Sequence, residues 1–185
     1  MPETILAETQ EIMDKAIHAM ENQFKRLKSG KASPDLLEGI QAEYYGTKTP
    51  LSQLANISVP EPRILVIKAF DQSALPEIEK AIISSDLGIN PQNDGKIIRL
   101  NIPPLTEETR KKLVTETKKI LENAKVSTRN ARRDANKSLD TLCKDKTISE
   151  DQRDTFKDKI QNLTNEFESK LDKAQKEKEE DLLKV

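Results

Sequence analysis

Residues 117–142 decide the fold, and their sequence is TKKILENAKVSTRNARRDANKSLDTL. Alternating intervals of four and three residues separate its small and apolar side chains, a pattern typical of one face of a helix that packs on another. This face consists of Thr117, Leu121, Ala124, Thr128, Ala131, Ala135, Ser138 and Leu142. Upstream, Thr106 is in the position of an N-cap and two glutamates follow it, which favours a helix start. We therefore predict a long helix over residues 106–144.

Two further amphipathic helices are predicted, one before this helix and one after it. The first has an apolar face made of Leu6, Met13, Ile17, Met20, Phe24 and Leu27, and the third has one made of Phe156, Ile160, Leu163, Phe167, Leu171 and Ala174. We expect Gly30 to end the first helix as a left-handed cap, and Ser149 with Gln152 to begin the third as a capping box. Because no such helix can bury its apolar face alone, the three form a bundle, in which the short link at residues 145–148 makes the second and third antiparallel.

Residues 31–105 have a different character, since they contain eight of the nine prolines of the chain. Their apolar pattern favours strands at residues 40–44, 57–59, 63–68 and 96–102, with a helix at 73–84. A short helix can begin at Ser33-Pro34, and Asn93-Asp94-Gly95 is a strong turn signal. We predict a small mixed α/β domain with a barrel-like sheet.

These segments together predict an α+β protein of two domains. Residues 1–30 and 106–185 form a long antiparallel three-helix bundle, and residues 31–105 form an α/β domain inserted into it. The chain passes twice between the domains, so we expect hinges near 30–31 and 102–105. The hinge residues are Gly30, Lys31, Pro103, Pro104 and Leu105.

Composition narrows the functional class. Cys143 is the only cysteine, which excludes an internal disulfide and suits a reducing compartment, and no stretch reaches the roughly 18 apolar residues of a membrane span. The only histidine, His18, has no metal-ligand partner at a suitable spacing. Neither a glycine-rich phosphate loop nor a catalytic motif is present. We therefore expect a cytoplasmic protein that is not an enzyme, without a metal or cofactor.

Charge is distributed unevenly along the chain. Residues 106–144 hold 11 lysines and arginines against 6 acids, a net charge of +5, whereas the whole chain has a net charge of −1. Within this segment Arg129, Arg132 and Arg133 lie three and four residues apart on one side of the helix. A flanking line repeats every seven residues at Lys111, Lys118, Lys125 and Arg132. Since guanidinium groups bind phosphate bidentately, this side of the helix is predicted to bind a nucleic-acid backbone.

Other interpretations stay open at this point. The basic line can pair with the 12 acids of residues 145–185, as flanking charges do in coiled coils. The protein is then a helical interaction module that forms oligomers or binds another protein. A third possibility is an RNA chaperone that binds naked RNA.

Several motifs, taken together, resemble the ribosome recycling factor family over essentially the whole chain. They are Leu27-Lys28-Ser29-Gly30-Lys31-Ala32-Ser33-Pro34, Glu43-Tyr44-Tyr45-Gly46-Thr47, Ser85-Asp86-Leu87-Gly88-Ile89-Asn90-Pro91, Ile102-Pro103-Pro104-Leu105-Thr106-Glu107-Glu108 and the run from Arg129 to Asn136. The resemblance implies a three-helix bundle with an inserted α/β domain, in an L-shaped outline similar to that of transfer RNA.

The resemblance also implies a function. A monomer binds the ribosome left on messenger RNA after termination, with its helical domain against large-subunit ribosomal RNA. Together with elongation factor G, which hydrolyses GTP, it separates the subunits. No membrane is involved.

Site residues can be assigned by position within the resemblance. Arg132 is the first candidate for contact with ribosomal RNA, followed by Arg129, Arg133 and Arg110. Lys28 and Lys31 stand where the family commonly has arginine, which keeps the charge but loses the bidentate fork. Lys137-Ser138 departs from the family's usual acid and lysine.

Overall fold

The computed structural model describes residues 1–27 and 29–184. The chain divides into two compact units, one made of Met1–Phe24 with Glu108–Val185 and the other of Lys25–Glu107. The first unit contains the long helices and the second contains both β-sheets. In the described part of the chain, no helix has a stretch that is long and apolar enough to cross a bilayer.

The first unit is the predicted antiparallel bundle of α1 (Pro2–Arg26), α4 (Glu107–Lys144) and α5 (Glu150–Leu183). Near one end of the bundle, Leu6 of α1 packs in a cluster with Leu139 and Phe156. Further along, Met13 packs with Ala131 and Phe167. Residue numbers thus fall along α4 while they rise along α1 and α5, so α4 is antiparallel to both of the other helices.

Helix starts follow local chemistry. Helix α4 begins at Glu107, immediately after Thr106, and its 38 residues extend over about 57 Å. Helix α5 begins with the predicted capping box, in which the Ser149 side chain accepts a hydrogen bond from the Gln152 backbone N–H at 3.2 Å. In return, the Ser149 backbone N–H donates to Gln152 Oε1 at 3.0 Å.

The buried face of each long helix repeats every 11 residues. In α4 the repeat includes Thr117, Thr128 and Leu139; in α1, Met13 and Phe24; in α5, Ile160, Leu171 and Leu182. Eleven residues in three turns give about 3.67 residues per turn, nearer to the roughly 3.6 of a straight helix than the 3.5 of a heptad, so the buried face turns only slowly around the axis, in the right-handed sense.

The predicted seven-residue spacing is therefore wrong in detail. Its period of about 3.5 residues drifts by some 20° per heptad relative to a straight helix, so it picks neighbours of the residues that are buried. Ser138 is exposed whereas Leu139 is 0% exposed, and Leu121 is half-buried whereas Ile120 is buried. In α5 the predicted Leu163 and Ala174 are half-buried, next to the buried Thr164 and Gln175.

Buried threonines are hydrogen-bonded within their own helices. The hydroxyls of Thr117 and Thr128 donate to the carbonyls of Val114 and Lys125, at 2.7 and 2.8 Å. The Thr164 hydroxyl donates in the same way to a carbonyl of α5. Because these groups have partners, small β-branched side chains fill the interior of the bundle without the cost of unpaired buried polar atoms.

The described residues of the second unit form six short strands and four short helical segments. The strands are β1 (Gln41–Tyr44), β2 (Thr47–Pro50), β3 (Ala55–Glu61), β4 (Ile64–Ala69), β5 (Gln92–Asn93) and β6 (Ile98–Asn101). The helical segments are Pro34–Leu37, α2 (Leu51–Leu54), Gln72–Ala74 and α3 (Leu75–Ile83), and the first follows Ser33 as predicted. Strands β2 and β5 and helix α2 were not predicted: β2, Thr-Lys-Thr-Pro, has no apolar alternation, and β5 has only two residues, both polar.

All strand pairs are antiparallel, in sheets of order β1-β2 and β3-β4-β6-β5. Both sheets and α3 enclose one core, which includes Ala42, Leu65, Ile67, Ile78 and Ile98. Strands β3 and β5 are the outer strands of the larger sheet, so its pairing is not continuous around the core among the described residues.

The buried residues of this core are aliphatic, and the half-buried Tyr44 packs against them. The three aromatic residues of the second unit lie towards its surface: Tyr44 is half-buried, and Tyr45 and Phe70 are exposed. The Tyr44 hydroxyl donates to Asp71 Oδ2 at 3.0 Å, and the Tyr44 and Tyr45 rings meet edge to face with centroids 4.5 Å apart. The hydrogen bond to Asp71 raises the pKa of Tyr44.

Gly30 does not cap the first helix, which corrects the prediction. Helix α1 already ends at Arg26, although Gly30 does have a positive φ of 72°. Instead, a Cβ at Gly30 would lie 2.9 Å from Leu105 Cγ. The glycine is required because Leu105 packs directly against the backbone there.

The 11-residue repeat predicts which of two adjacent residues of α4 stabilises the bundle. Leu139→Ala should lower the free energy of unfolding by about 2 to 5 kcal/mol, because it leaves a cavity in a fully buried site. Urea titration would measure the loss. The matched control, Ser138→Ala, should change stability by no more than about 0.5 kcal/mol. Equal losses at the two positions would contradict the 11-residue face.

The contact at Gly30 predicts a steric cost beyond that of backbone conformation. Gly30→Ala should destabilise the second unit by more than Gly39→Ala, because Gly39 has a similar φ of 85° but no described atom within 4 Å of its added Cβ. The backbone conformation alone costs about 1 to 2 kcal/mol for alanine at either site. Amide hydrogen exchange in β4 and β6 would measure both. Adding Leu105→Ala should recover part of the excess at Gly30; equal effects of the two single substitutions would refute the steric argument.

Candidate nucleic-acid interface

Helix α4 brings three of the predicted arginines together. Arg129, Arg132 and Arg133 lie within two turns of the helix; Arg129 and Arg132 are half-buried and Arg133 is exposed. Arg110, also half-buried, lies on the same side of α4 as Arg132, since two 11-residue intervals separate them. At about 1.5 Å per residue the two are roughly 33 Å apart, so Arg110 does not belong to the same local cluster.

The remaining predicted residues lie elsewhere. Lys31 is exposed and belongs to the second unit. Lys28 lies outside the described residues. Of the predicted hinge residues, Pro103 and Pro104 are exposed and Leu105 is half-buried.

Two cations of α4 are paired with acids of α5. Lys125 Nζ lies 2.7 Å from Asp172 Oδ1, and Arg129 Nε lies 2.9 Å from Glu168 Oε1. Arg129 Nη1 also lies 3.2 Å from Glu122 Oε1 on its own helix. The hydrogen bond and the charge of Glu168 raise the pKa of Arg129, with a smaller contribution from Glu122. The interpretation that the basic line pairs with the last segment therefore holds for Lys125, and Arg129 beside the line pairs in the same way.

Arg132 has a neutral partner instead. Its Nη1 donates to Gln161 Oε1 at 3.3 Å, and Gln161 Nε2 donates to Asn165 Oδ1 at 2.9 Å. Among the described residues, no carboxylate forms an ion pair with Arg132, and none forms one with the exposed Arg133. These two neighbouring guanidinium groups consequently keep their charge available to an external anion.

The acids and amides of α5 were not identified from the sequence as part of this site. One signal could have located them. In an antiparallel helix pair with a short link, residues equally far from the link face each other, and Lys125–Asp172 and Arg129–Glu168 obey this rule about the link before Ser149. Further along, Asp140 Oδ1 pairs with Lys157 Nζ at 2.7 Å, with the signs reversed between the helices.

Two further side chains, those of His18 and Cys143, each contact one charged residue. His18 lies on the surface of α1, with Nδ1 3.5 Å from Glu21 Oε2. Cys143 is half-buried, and Arg153 Nη1 donates to its sulfur at 3.9 Å. In the part of the chain that the structure describes, no group of three or more His, Cys, Asp or Glu could hold a metal ion.

Comparisons with known proteins agree with this architecture. The family model described as "Ribosome recycling factor" matches residues 20–183. The ribosome-recycling factor of Brevibacillus brevis (strain 47) is 51% identical over 185 residues, covering 100% of both chains. That of Oleidesulfovibrio alaskensis is 48% identical over 183 residues, covering 99% of this chain and 100% of the other.

Solved structures are similar over the full length. A solution structure of the ribosome recycling factor matches with a TM-score of 0.83 and 40% identity, covering 100% of this chain and 98% of that one. A second match has a TM-score of 0.67 and 42% identity, with 100% of both chains covered. It comes from models of the Thermus thermophilus ribosome recycling factor and the Escherichia coli elongation factor G bound to the E. coli post-termination complex.

Members of this family are translation factors and not enzymes. The family match over residues 20–183 and the 51% identity to a full-length relative show that the chain belongs to the ribosome recycling factor family.

Proposed function

We propose that this protein binds the large subunit of the post-termination ribosome through α4 and, together with elongation factor G, separates the subunits. The observation that carries the proposal is the pair of guanidinium groups of Arg132 and Arg133, which no carboxylate of the described chain neutralises. Guanidinium groups bind phosphate oxygens bidentately and also stack on unpaired bases, and ribosomal RNA presents both.

The ion pairs rank the proposed RNA contacts. Arg132 and Arg133 come first because their charge is uncompensated. Arg129 is held by Glu168 and Glu122, so an RNA phosphate must compete with these carboxylates for its donors. Arg110 extends the same side of α4 towards its start, and the contacts of Lys28 and Lys31 rest on the family resemblance alone.

We infer the partner, elongation factor G, from a related protein. A T. thermophilus recycling factor has been placed with E. coli elongation factor G on a post-termination complex, which supports the same partnership here. We infer a monomer that acts in the cytoplasm. An oligomer would pair basic residues of α4 with acidic residues of α5 from another chain. Within this chain such residues already form ion pairs with each other, at Lys125–Asp172 and Arg129–Glu168. This weakens the alternative of a coiled-coil interaction module.

Mechanically, we propose that residues 1–30 and 106–185 are a rigid anchor and that residues 31–105 are a movable domain. The proposal is supported by a contact within the second unit between the two segments that lead to the crossings, since a Cβ at Gly30 would lie 2.9 Å from Leu105 Cγ. Two adjacent crossings permit rotation about one axis, so a push on the movable domain by the elongation factor becomes strain between the subunits.

The ranking predicts a selective loss of binding. Arg132→Ala should weaken binding to isolated large subunits by about 1 to 3 kcal/mol, the range for a charge-assisted hydrogen bond, without unfolding the bundle. Sedimentation with large subunits, beside naked RNA, would measure the affinity and would also distinguish a general RNA chaperone. Because phosphate contacts release counterions, binding of the unmodified protein should fall as salt is raised.

The control for this loss is Arg99→Ala, which removes the same charge from an exposed site in β6 of the second unit. It should leave the affinity unchanged. If Arg132→Ala binds as tightly as the unmodified protein, the proposed interface is wrong.

The hinge proposal predicts that splitting and binding can be separated. With Cys143 replaced by serine, one new cysteine in each proposed domain can be joined by oxidation. The oxidised protein should bind large subunits normally but fail to split ribosomes with elongation factor G and GTP, as followed by light scattering. Reduction should restore splitting. Normal splitting by the oxidised protein would rule out the lever.

A further inference from the structure

We infer that Gln161 of α5 is a positioning residue that presents Arg132 to an RNA phosphate without neutralising it. The inference rests on the proposed function, because it assigns a role to a second helix in the same site. Its basis is the contrast between Arg132 and the other cations of α4 that face α5.

Polar pairs join α4 to α5, and the α5 partner of an α4 cation is in some pairs an acid and in another a neutral amide. Opposite Lys125 and Arg129, α5 supplies the carboxylates of Asp172 and Glu168. Opposite Arg132 it supplies the neutral amide of Gln161. A glutamate there would make a stronger, charge-assisted hydrogen bond within the bundle. The neutral partner thus gives up an internal ion pair and leaves the positive charge for an external ligand.

Gln161 is itself oriented. Its Nε2 donates to Asn165 Oδ1 at 2.9 Å, one turn further along α5, which directs Oε1 to accept from Arg132 Nη1 at 3.3 Å. This contact uses one N–H of the guanidinium and leaves the other donors for a phosphate. A long side chain held in place beforehand loses less conformational freedom when it binds.

The inference predicts the effect of an isosteric change. Gln161→Glu adds a carboxylate at the same acceptor position, so Arg132 should become ion-paired and compete poorly for phosphate. Affinity for isolated large subunits should fall about three- to tenfold, towards that of Arg132→Ala. The slope of log affinity against log salt should become shallower by up to about 0.9, the value for one phosphate contact. Because Gln161 is exposed, the bundle should remain folded.

Two controls test whether the effect passes through Arg132. Asn162→Asp places the same charge on the adjacent exposed residue of α5 and should change affinity much less. In an Arg132→Ala background, Gln161→Glu should have no further effect. An equal loss in that background would mean general repulsion of RNA by the new charge, and would overturn the inference.

The results also separate this inference from the proposed function. If Arg132→Ala weakens binding but Gln161→Glu does not, the role of Gln161 is refuted while the interface stands. If neither substitution alters the affinity, the interface itself is refuted.

Discussion

The burial of one straight, narrow face on each long helix is the constraint on which the rest of the bundle depends. Residues 11 apart, such as Thr117, Thr128 and Leu139, occupy the same side of α4 over its whole length. Since this face turns only slowly around the axis, the flank beside it keeps nearly one direction. Arg110 and Arg132, two 11-residue intervals apart, therefore lie on the same side of α4.

The cations in this part of α4 differ in their partners. Lys125 and Arg129 meet acids of α5 and hold two antiparallel helices in register. Such half-exposed ion pairs contribute modestly to stability, and they favour one alignment of the two helices. Among the described residues, Arg132 and Arg133 take no part in this pairing, so the arginine run combines ion-paired and unpaired residues that look alike in the sequence. The partners supplied by α5 distinguish them.

Much of the architecture could be predicted because its signals are local. The Ser149–Gln152 capping box, the turn at Asn93-Asp94-Gly95 and the main strands depend on a few adjacent residues, and the structure contains them. The register of the bundle could not be predicted. Whether Leu139 or Ser138 is the buried residue depends on the helical period over many turns. The role of Gly30 was missed since its contact, Leu105, is 75 residues away in the chain. Gln161 was missed for the same reason, because the residue that it contacts, Arg132, lies on another helix and far away in the sequence.

The placement of the aromatic residues has a consequence for spectroscopy. The chain has no tryptophan, and its two tyrosines, Tyr44 and Tyr45, both belong to the second unit. Intrinsic ultraviolet fluorescence therefore originates almost entirely from that unit, whereas the far-ultraviolet circular dichroism of α1, α4 and α5 is dominated by the bundle. The two optical signals, recorded on one unlabelled sample, can follow the melting of each half of the molecule independently.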